Sequence, residues 1–141
     1  MREILFRAKQ IDNGEWTEGY VFELQPSQYV ICDRKQYDRA STLPVWEFLR
    51  YCTHEINPET LCQYTGLTDK NGKQIWENDI VKHEISYTTG TVKWYEEDYA
   101  GWCVDDVYVG KQQFTNEMWG ECEVIGHIFD ALEFLEKAKE D

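Results

Sequence analysis

Short segments of alternating or β-branched residues, each ended by Gly, Asn or Asp, run through most of this chain and constrain its fold more than any other feature. Residues 3–10 and 16–24 alternate loosely between apolar and polar types, and the Asn13-Gly14 pair between them tolerates positive φ. Residues 88–94 and 102–109 are rich in β-branched and aromatic side chains. Because short strands separated by tight turns are typical of antiparallel sheets, the sequence predicts a mainly β fold.

The spacing of these strands favours a strongly bent sheet or a small SH3-like barrel built from hairpins. A short third strand over 29–32, a polar loop over 33–42 and a last strand over 120–129 complete the predicted sheet. The segment 43–53 fits both a helix and a strand, and we favour the strand slightly. A short C-terminal helix is expected over 130–139, because its apolar residues fall on one helical face.

The length of 141 residues, with 42% hydrophobic and 15% aromatic residues, predicts one folded domain over 1–141. Its expected parts are an N-terminal hairpin region (1–55), a barrel-like core (56–129) and the C-terminal helix (130–139).

The five cysteines are an odd number without CxxC spacing, and the chain has neither a signal-like start nor a long apolar run. We therefore expect reduced thiols, a cytoplasmic location, no membrane contact and no cofactor.

The net charge of −13 is concentrated in residues 81–141, which hold 14 acidic and 5 basic residues. Since nucleic-acid binding normally uses Lys and Arg against the phosphates, direct binding of nucleic acid is unlikely on this count. An SH3-like module that binds nucleic acid stays an alternative, because basic residues concentrate early in the chain: Arg2, Arg7, Lys9, Arg34, Lys35 and Arg39.

Three motifs identify a resemblance that spans nearly the whole chain: "REILFRA" near the N-terminus, "QYTGLTDKNGKQIWENDIV" in the centre and "EVIGHIFD" near the end. Together they resemble the YopX proteins of bacterial phages and prophages. The resemblance implies a mainly β protein made inside the bacterial host, often self-associating, and it implies no activity or catalytic residue.

The residues of the resemblance have a structural interpretation. We expect them to shape turns and strands: Tyr64, Thr65, Gly66, Leu67, Asp69, Asn71, Gly72, Asp79, Ile80, Val81, Ile125 and Gly126. Two positions depart from the family pattern, since Asn78 stands where Gly is usual and His127 stands where Asn is usual. The first departure is conservative, because Asn tolerates positive φ nearly as well as Gly.

Candidate catalytic and metal-binding groups have more ordinary explanations. The carboxylates of Glu96, Glu97, Asp98, Asp105 and Asp106 could bind a divalent cation, but no known ligand spacing organises them. Asp69 and Asp79 could form an acid–base pair, although carboxylates beside turns more often accept backbone N–H bonds. The three histidines adjoin no motif of a serine or cysteine nucleophile. We therefore predict no catalytic residue and no metal site.

The most promising surface combines aromatic and acidic residues beside one loop. It consists of Trp94, Tyr95, Glu96, Glu97, Asp98, Tyr99 and Trp102. Such a cluster would suit a basic or proline-containing protein partner. The sequence thus favours a non-enzymatic phage accessory protein that binds another protein and forms homo-oligomers. The alternatives are an acidic mimic of nucleic acid that acts on a host DNA-processing protein, and an SH3-like module that binds nucleic acid.

Overall fold

The computed structural model describes residues 4–36, 42–97 and 100–130. The chain divides into two compact units, unit 1 (Met1–Gln63) and unit 2 (Tyr64–Asp141). No helix within the described ranges is long and apolar enough to cross a membrane. The prediction of a single domain over 1–141, with boundaries at 55/56 and 129/130, stays a prediction.

The described residues of unit 1 form an antiparallel sheet, an α-helix over 45–52, a turn of 3-10 helix and a short helical stretch at 34–36. In chain order the elements are β1 (Phe6–Lys9), β2 (Trp16–Gln25), β3 (Gln28–Asp33), α1 (Val45–Cys52), β4 (Thr53–Ile56), the 3-10 turn (Pro58–Thr60) and the start of β5 (Cys62–Thr68). Within this unit the strand order is β4-β3-β2-β1-β5, and β5 continues into unit 2.

The predicted opening hairpin is confirmed. Strands β1 and β2 pair from Phe6 opposite Gly19 to Lys9 opposite Trp16. Gly14, at φ 69°, turns the chain between them. The third strand is also confirmed within β3. The predicted loop over 33–42 is wrong at its start, because Asp33 ends β3 and residues 34–36 are helical, and residues 37–41 lie outside the described residues.

The segment 43–53 forms a helix, so our slight preference for a strand was wrong. The apolar positions 45, 48, 49 and 52 recur at the helical spacing, and Pro44 directly precedes the first turn. Phe48 and the buried Cys52 pack against Cys32 of β3. This packing stabilises a helix over a strand in this segment, because in a helix the apolar side chains share one face and can all lie on the sheet.

The two faces of the unit 1 sheet differ. Ala8, Ile31 and Ile56 form a buried cluster on one face. Cys32 alternates with Ile31 along β3 and points to the other face, where α1 covers it. Strands β1 and β2 continue this second face beyond the helix.

Unit 2 contains the rest of β5 and a second antiparallel sheet. Its further elements are β6 (Gln74–Trp76), β7 (Asp79–His83), β8 (Thr88–Tyr95), β9 (Gly101–Asp106), β10 (Gly110–Gln112), α2 (Asn116–Glu121) and β11 (Glu123–His127). Strand β6 pairs with β5, and the five remaining strands have the order β10-β9-β8-β7-β11. The core of this unit is a cluster of buried side chains: Ile75, Val81, Val92, Val104, Phe114, Trp119 and Cys122.

The last strand is shorter than predicted, because α2 occupies the start of the segment 120–129. Thr115 accepts the backbone N–H of Met118 at 3.2 Å and so caps this helix. Trp119 then reaches the core, and β11 begins only at Glu123. Residues 128–130 are helical, and the rest of the predicted helix over 130–139 lies outside the described residues.

The mainly β prediction is confirmed, and the described strands form open sheets without a closed barrel. Closure of the five-stranded sheet would require β10 to pair with β11, which lie at its opposite edges. The connection between these strands instead carries α2, which packs on the core. The SH3-like alternative therefore does not describe this sheet.

Candidate functional site

The predicted aromatic and acidic surface lies on the β8–β9 hairpin. Trp94 and Trp102 are direct cross-strand partners, and their rings meet edge to face with centroids 5.1 Å apart. Glu96 and Glu97 are exposed in the connecting loop, while residues 98–99 lie outside the described part of the chain. The hairpin therefore brings the tryptophan pair beside two exposed carboxylates.

The described aromatic side chains of this surface, those of Trp94, Tyr95 and Trp102, are mostly half-buried. Trp102 packs against the core, and its indole Nε1 is buried without a hydrogen-bond acceptor among the described residues. Burial, followed by the nearby Asp105 carboxylate, raises the pKa of Tyr95, whose ring lies 5.1 Å from Lys111 Nζ. Trp94, 41% exposed, is thus the main aromatic contact that this surface offers a partner.

A second group of apolar residues, absent from our predictions, lies at the other end of the same sheet. It sits on the β7–β8 and β9–β10 turns and is called here the tip cluster: Ile85, Tyr87, Val107, Tyr108 and Val109. Tyr87 and Tyr108 are 95% and 93% exposed, and the aliphatic members are also exposed. Gly90 pairs with Asp106 across β8 and β9, which places the two turns side by side.

Asp106 fastens these two turns to each other. Its Oδ2 accepts the backbone N–H of Thr89 at 3.1 Å, and its Oδ1 accepts those of Tyr108 and Val109 at 2.8 and 3.1 Å. Donation from Tyr108, and then from Val109 and Thr89, lowers the pKa of Asp106 despite its burial. This carboxylate, which we had considered as a metal ligand, is thus engaged in holding the backbone.

A polar network supports the β7–β8 turn from below. Ser86 Oγ lies 2.6 Å from His83 Nδ1 and 2.8 Å from Thr88 Oγ1. The other ring nitrogen of the buried His83 lies 3.7 Å from a carboxylate oxygen of Glu121 on α2. The only sign of this network in the sequence was the spacing of His83 and Ser86, which lie three positions apart across a turn.

A serine beside a histidine is the pairing that activates nucleophiles in hydrolases. Here, however, the histidine Nε2 makes no hydrogen bond in the described structure, so Glu121 does not orient the ring as the acid of a triad does. His83 and Thr88 of the network line a cavity of about 490 Å³ together with Lys82, Glu84, Tyr87 and Thr89. Its evident effect is to fix the turn that carries Ile85 and Tyr87.

The central motif shapes backbone, as its structural interpretation requires. Asp69 Oδ1 accepts the N–H groups of Asn71 and Lys73, and its Oδ2 accepts that of Val124 on β11, each at 2.9 Å. Burial alone would raise the pKa of Asp69, but these three donors and the charge of Lys73 lower it. A carboxylate held ionised in this way is poorly suited to act as a general acid.

The second turn of the motif places Asn78 at φ 70°. The substitution of the usual Gly by Asn is therefore accommodated at a left-handed position. Asn78 Oδ1 also accepts a hydrogen bond from Lys93 Nζ at 2.7 Å. Next to it, the buried Asp79 accepts the backbone N–H of Trp76 at 2.8 Å, so this carboxylate is likewise engaged by the backbone.

Nucleophilic and metal-binding groups are not assembled in the described residues. All five cysteines are buried thiols. Burial raises the pKa of Cys122 to about 11, which leaves its thiolate scarce at neutral pH. No group of three His, Cys, Asp or Glu side chains within residues 4–36, 42–97 and 100–130 could hold a metal ion.

Comparison with known proteins identifies the family. No curated protein is similar enough to the chain to count as a match. The family model described as YopX protein matches residues 5–136, close to the span of the three motifs. The match covers nearly the whole sequence, including both units and the central motif. The chain belongs to the YopX family.

Proposed function

We propose that this chain is a non-enzymatic protein-interaction module that binds its partner through the tip cluster. The observation that carries the proposal is the exposure of five large apolar side chains on two adjacent turns. Tyrosines at the centre of an interface supply much of its binding energy, because they bury a large area at a low cost in conformational entropy.

The tip cluster is preorganised for binding. Asp106 joins the β9–β10 turn to β8, and the His83–Ser86–Thr88 network fixes the β7–β8 turn. A turn backbone held in this way loses little conformational freedom when a partner binds, which favours affinity. The carboxylates that could serve catalysis, those of Asp69, Asp79 and Asp106, are engaged by backbone donors, which supports a binding role over an enzymatic one.

The charge of the chain indicates the chemistry of the partner. Residues 81–141 hold 14 acidic and 5 basic residues. Long-range attraction would therefore favour a basic protein, and the apolar turns would favour one with pockets for tyrosine side chains. The predicted surface around Trp94 could extend the contact, but among its described residues only Trp94 is an exposed aromatic group.

Photo-crosslinking in bacterial cells tests the proposal. A photoreactive phenylalanine analogue replaces Tyr87, Tyr108 or, as a control, Tyr51, which is also exposed but lies on α1 of unit 1. We expect one protein to crosslink from both tip positions and not from the control. Identical products from all three positions, or none from the tips, would contradict the proposed surface.

An acidic mimic of nucleic acid is the alternative for the same half of the chain. Its requirement is rows of carboxylates spaced like phosphates. In unit 2, however, exposed carboxylates adjoin lysines, with Lys70 3.6 Å from Glu123 and Lys82 3.9 Å from Glu84. Such interruption counts against mimicry, and competition with duplex DNA for a restriction or repair protein tests it directly.

Origin, location and assembly are part of the proposal. Membership of the YopX family supports a phage or prophage protein in the bacterial cytoplasm, and the buried thiols are in keeping with a reducing compartment. Homo-oligomers would use the same exposed apolar residues. Sedimentation of the purified chain, with and without Tyr87→Ala, would show whether copies associate through the tip cluster.

A further inference from the structure

Two of the five buried thiols lie in contact with each other in unit 1. Cys32 of β3 and Cys52 at the end of α1 are the two buried members of one cluster, and their exposed fractions are 3% and 0%. The strand register explains this contact, because Cys32 is the cross-strand partner of Thr53, the residue that follows Cys52. The fold therefore brings together two thiols that are distant in the sequence.

The contact is close enough for a disulfide to form without a large movement of the backbone. Directly opposed residues of an antiparallel pair have Cα atoms about 4.5–5.5 Å apart, and Cys52 is the neighbour of the residue opposite Cys32. The two thiols also share a hydrogen bond, so their sulfur atoms face each other. A bond between them requires a small adjustment of the side chains and of the helix end.

The surroundings of the pair keep it slow to react while α1 is in place. Burial, followed by interaction with Cys52 and with Asp33, raises the pKa of Cys32. Burial, followed by the charge of Asp33, also raises the pKa of Cys52, and the hydrogen bond with Cys32 opposes this rise. Because the thiolate is the reactive form, the pair reacts more slowly than an exposed thiol does.

The helix that covers the pair is weakly held. Of the eight residues of α1, only Phe48 and Cys52 are withdrawn from solvent, whereas Val45 and Trp46 are 68% and 81% exposed. An element with so few buried contacts opens locally at a low cost in free energy. Brief and partial openings admit a reagent as small as hydrogen peroxide, although they exclude larger thiol reagents.

We propose that Cys32 and Cys52 form a peroxide-sensitive modification site, at which the two thiols become a disulfide that ties the end of α1 to β3. One thiolate attacks a peroxide oxygen, the O–O bond breaks, and a sulfenic acid and hydroxide form. The second thiol gives up its proton and attacks the sulfenic sulfur, so the S–S bond forms and the S–O bond breaks with release of water. The cysteines lose two hydrogen atoms with their electrons, and the peroxide is reduced to water.

The neighbouring thiol determines the product of oxidation at this site. A sulfenic acid beside a second thiol condenses to a disulfide, whereas an isolated one is oxidised further or persists. Cys122 is the internal control, because it is 0% exposed and belongs to the unit 2 core, whose described buried members include no second cysteine. The site lies in unit 1 and does not depend on the tip cluster.

Mass spectrometry of the full chain, before and after treatment with hydrogen peroxide, tests the proposal. We expect the folded chain to lose two hydrogen atoms, and peptide mapping without reductant to find Cys32 linked to Cys52. Dithiothreitol should reverse the change, and Cys122 in the same sample should stay a thiol. No link after prolonged treatment, a comparable yield of any other cysteine pair, or oxygen added to Cys32 or Cys52 without the link overturns the proposal.

Single substitutions show whether each thiol needs the other. In Cys32→Ser and in Cys52→Ser, the remaining thiol should form a sulfenic acid that dimedone traps in much higher yield than in the native chain. Equal yields of the adduct in the native chain and both variants would overturn the proposal. Circular dichroism checks that each variant folds, and if neither does, the peptide mapping of the native chain decides.

Hydrogen exchange measures what the bond does to α1. The amides of Phe48 and Thr53 donate hydrogen bonds within the helix and at its end. In the oxidised chain they should exchange about 10- to 100-fold more slowly, because the disulfide restricts the opened state. Unchanged exchange at both amides would contradict the proposed fastening of α1 to β3.

Discussion

Asp69→Ala tests whether the central YopX motif acts by shaping backbone. In the native chain Oδ1 of this carboxylate accepts two N–H groups within its own turn, and Oδ2 accepts the N–H of Val124, 55 positions along the sequence. Alanine removes all three bonds. Asparagine can keep the two bonds to Oδ1 but places an N–H₂ group against the Val124 donor.

The magnitude follows from where the three donors lie. A hydrogen bond to a charged group contributes about 1.5–3 kcal/mol when it is not replaced by water. Asn71 and Lys73 are exposed, so water takes over much of their interaction, whereas Val124 is half-buried. We therefore expect a loss in the free energy of unfolding of about 2–4 kcal/mol for Asp69→Ala and about 1–2 kcal/mol for Asp69→Asn.

Urea unfolding at neutral pH measures both losses. Asp12→Ala, which removes an exposed carboxylate from the β1–β2 loop, is the matched control and should change stability by less than about 0.5 kcal/mol. If Asp69→Ala changes stability as little as the control, the motif does not act through this carboxylate.

The pH dependence gives an independent check on Asp69. Its pKa is lower in the folded chain than in the unfolded one, so its contribution is present above the ordinary carboxyl pKa of about 3.9 and is lost as pH falls through the folded value. The stability difference between the native chain and Asp69→Asn should therefore shrink below about pH 4. A difference that stays constant down to acid unfolding would refute the assignment.

Four further outcomes are expected. Asn78→Val should destabilise the chain by about 1–2 kcal/mol in urea, because φ 70° disfavours a β-branched residue, while Asn78→Gly should stay within about 1 kcal/mol. Ile75→Ala should cost about 2–5 kcal/mol through the cavity that it leaves in the unit 2 core. A thiol reagent at pH 8 should label all five cysteines only after denaturation, and rapid labelling of Cys122 in the native chain would contradict its burial and its pKa of about 11. Asp106→Ala should speed hydrogen exchange of the Tyr108 and Val109 amides and weaken crosslinking from the tip cluster, whereas unchanged exchange would show that another contact holds the turn.

The strands and turns were predictable because their signals are local. The Asn13-Gly14 and Asn71-Gly72 pairs mark turns whatever surrounds them, and both glycines take positive φ. The helix α1 was left ambiguous and α2 was missed, for a different reason. Each is short and gains stability from tertiary contacts, Cys52 on Cys32 and Trp119 on the unit 2 core, and periodicity over so few residues cannot decide between helix and strand.

For the candidate surfaces too, local features were predictable from the sequence and features that depend on tertiary contacts were not. The sequence pattern placed Trp94 and Trp102 on one surface correctly, since a hairpin pairs residues that flank its loop. The tip cluster joins two turns through Asp106, and its recognition needs the order of β7, β8, β9 and β10. Likewise, the net charge of the chain did not indicate that Arg34 and Lys35 line one cavity with Trp16, because a total charge does not say where the charged residues lie.

The three backbone bonds of Asp106 separate the shape of the two turns from the identity of their side chains. Ile85, Tyr87 and Val107 to Val109 are exposed and contribute little to the cores, whereas the buried Asp106 carboxylate bonds to backbone donors on both sides of the contact between the turns. The exposed side chains at these positions can therefore be exchanged with little effect on folding, provided that Ser86 and Asp106 are kept and that the new residue at 87 tolerates a φ of 56°. In engineering terms, the end of the unit 2 sheet is a scaffold with two replaceable loops, and a library varied at the exposed positions should select new partners as long as Asp106 is retained.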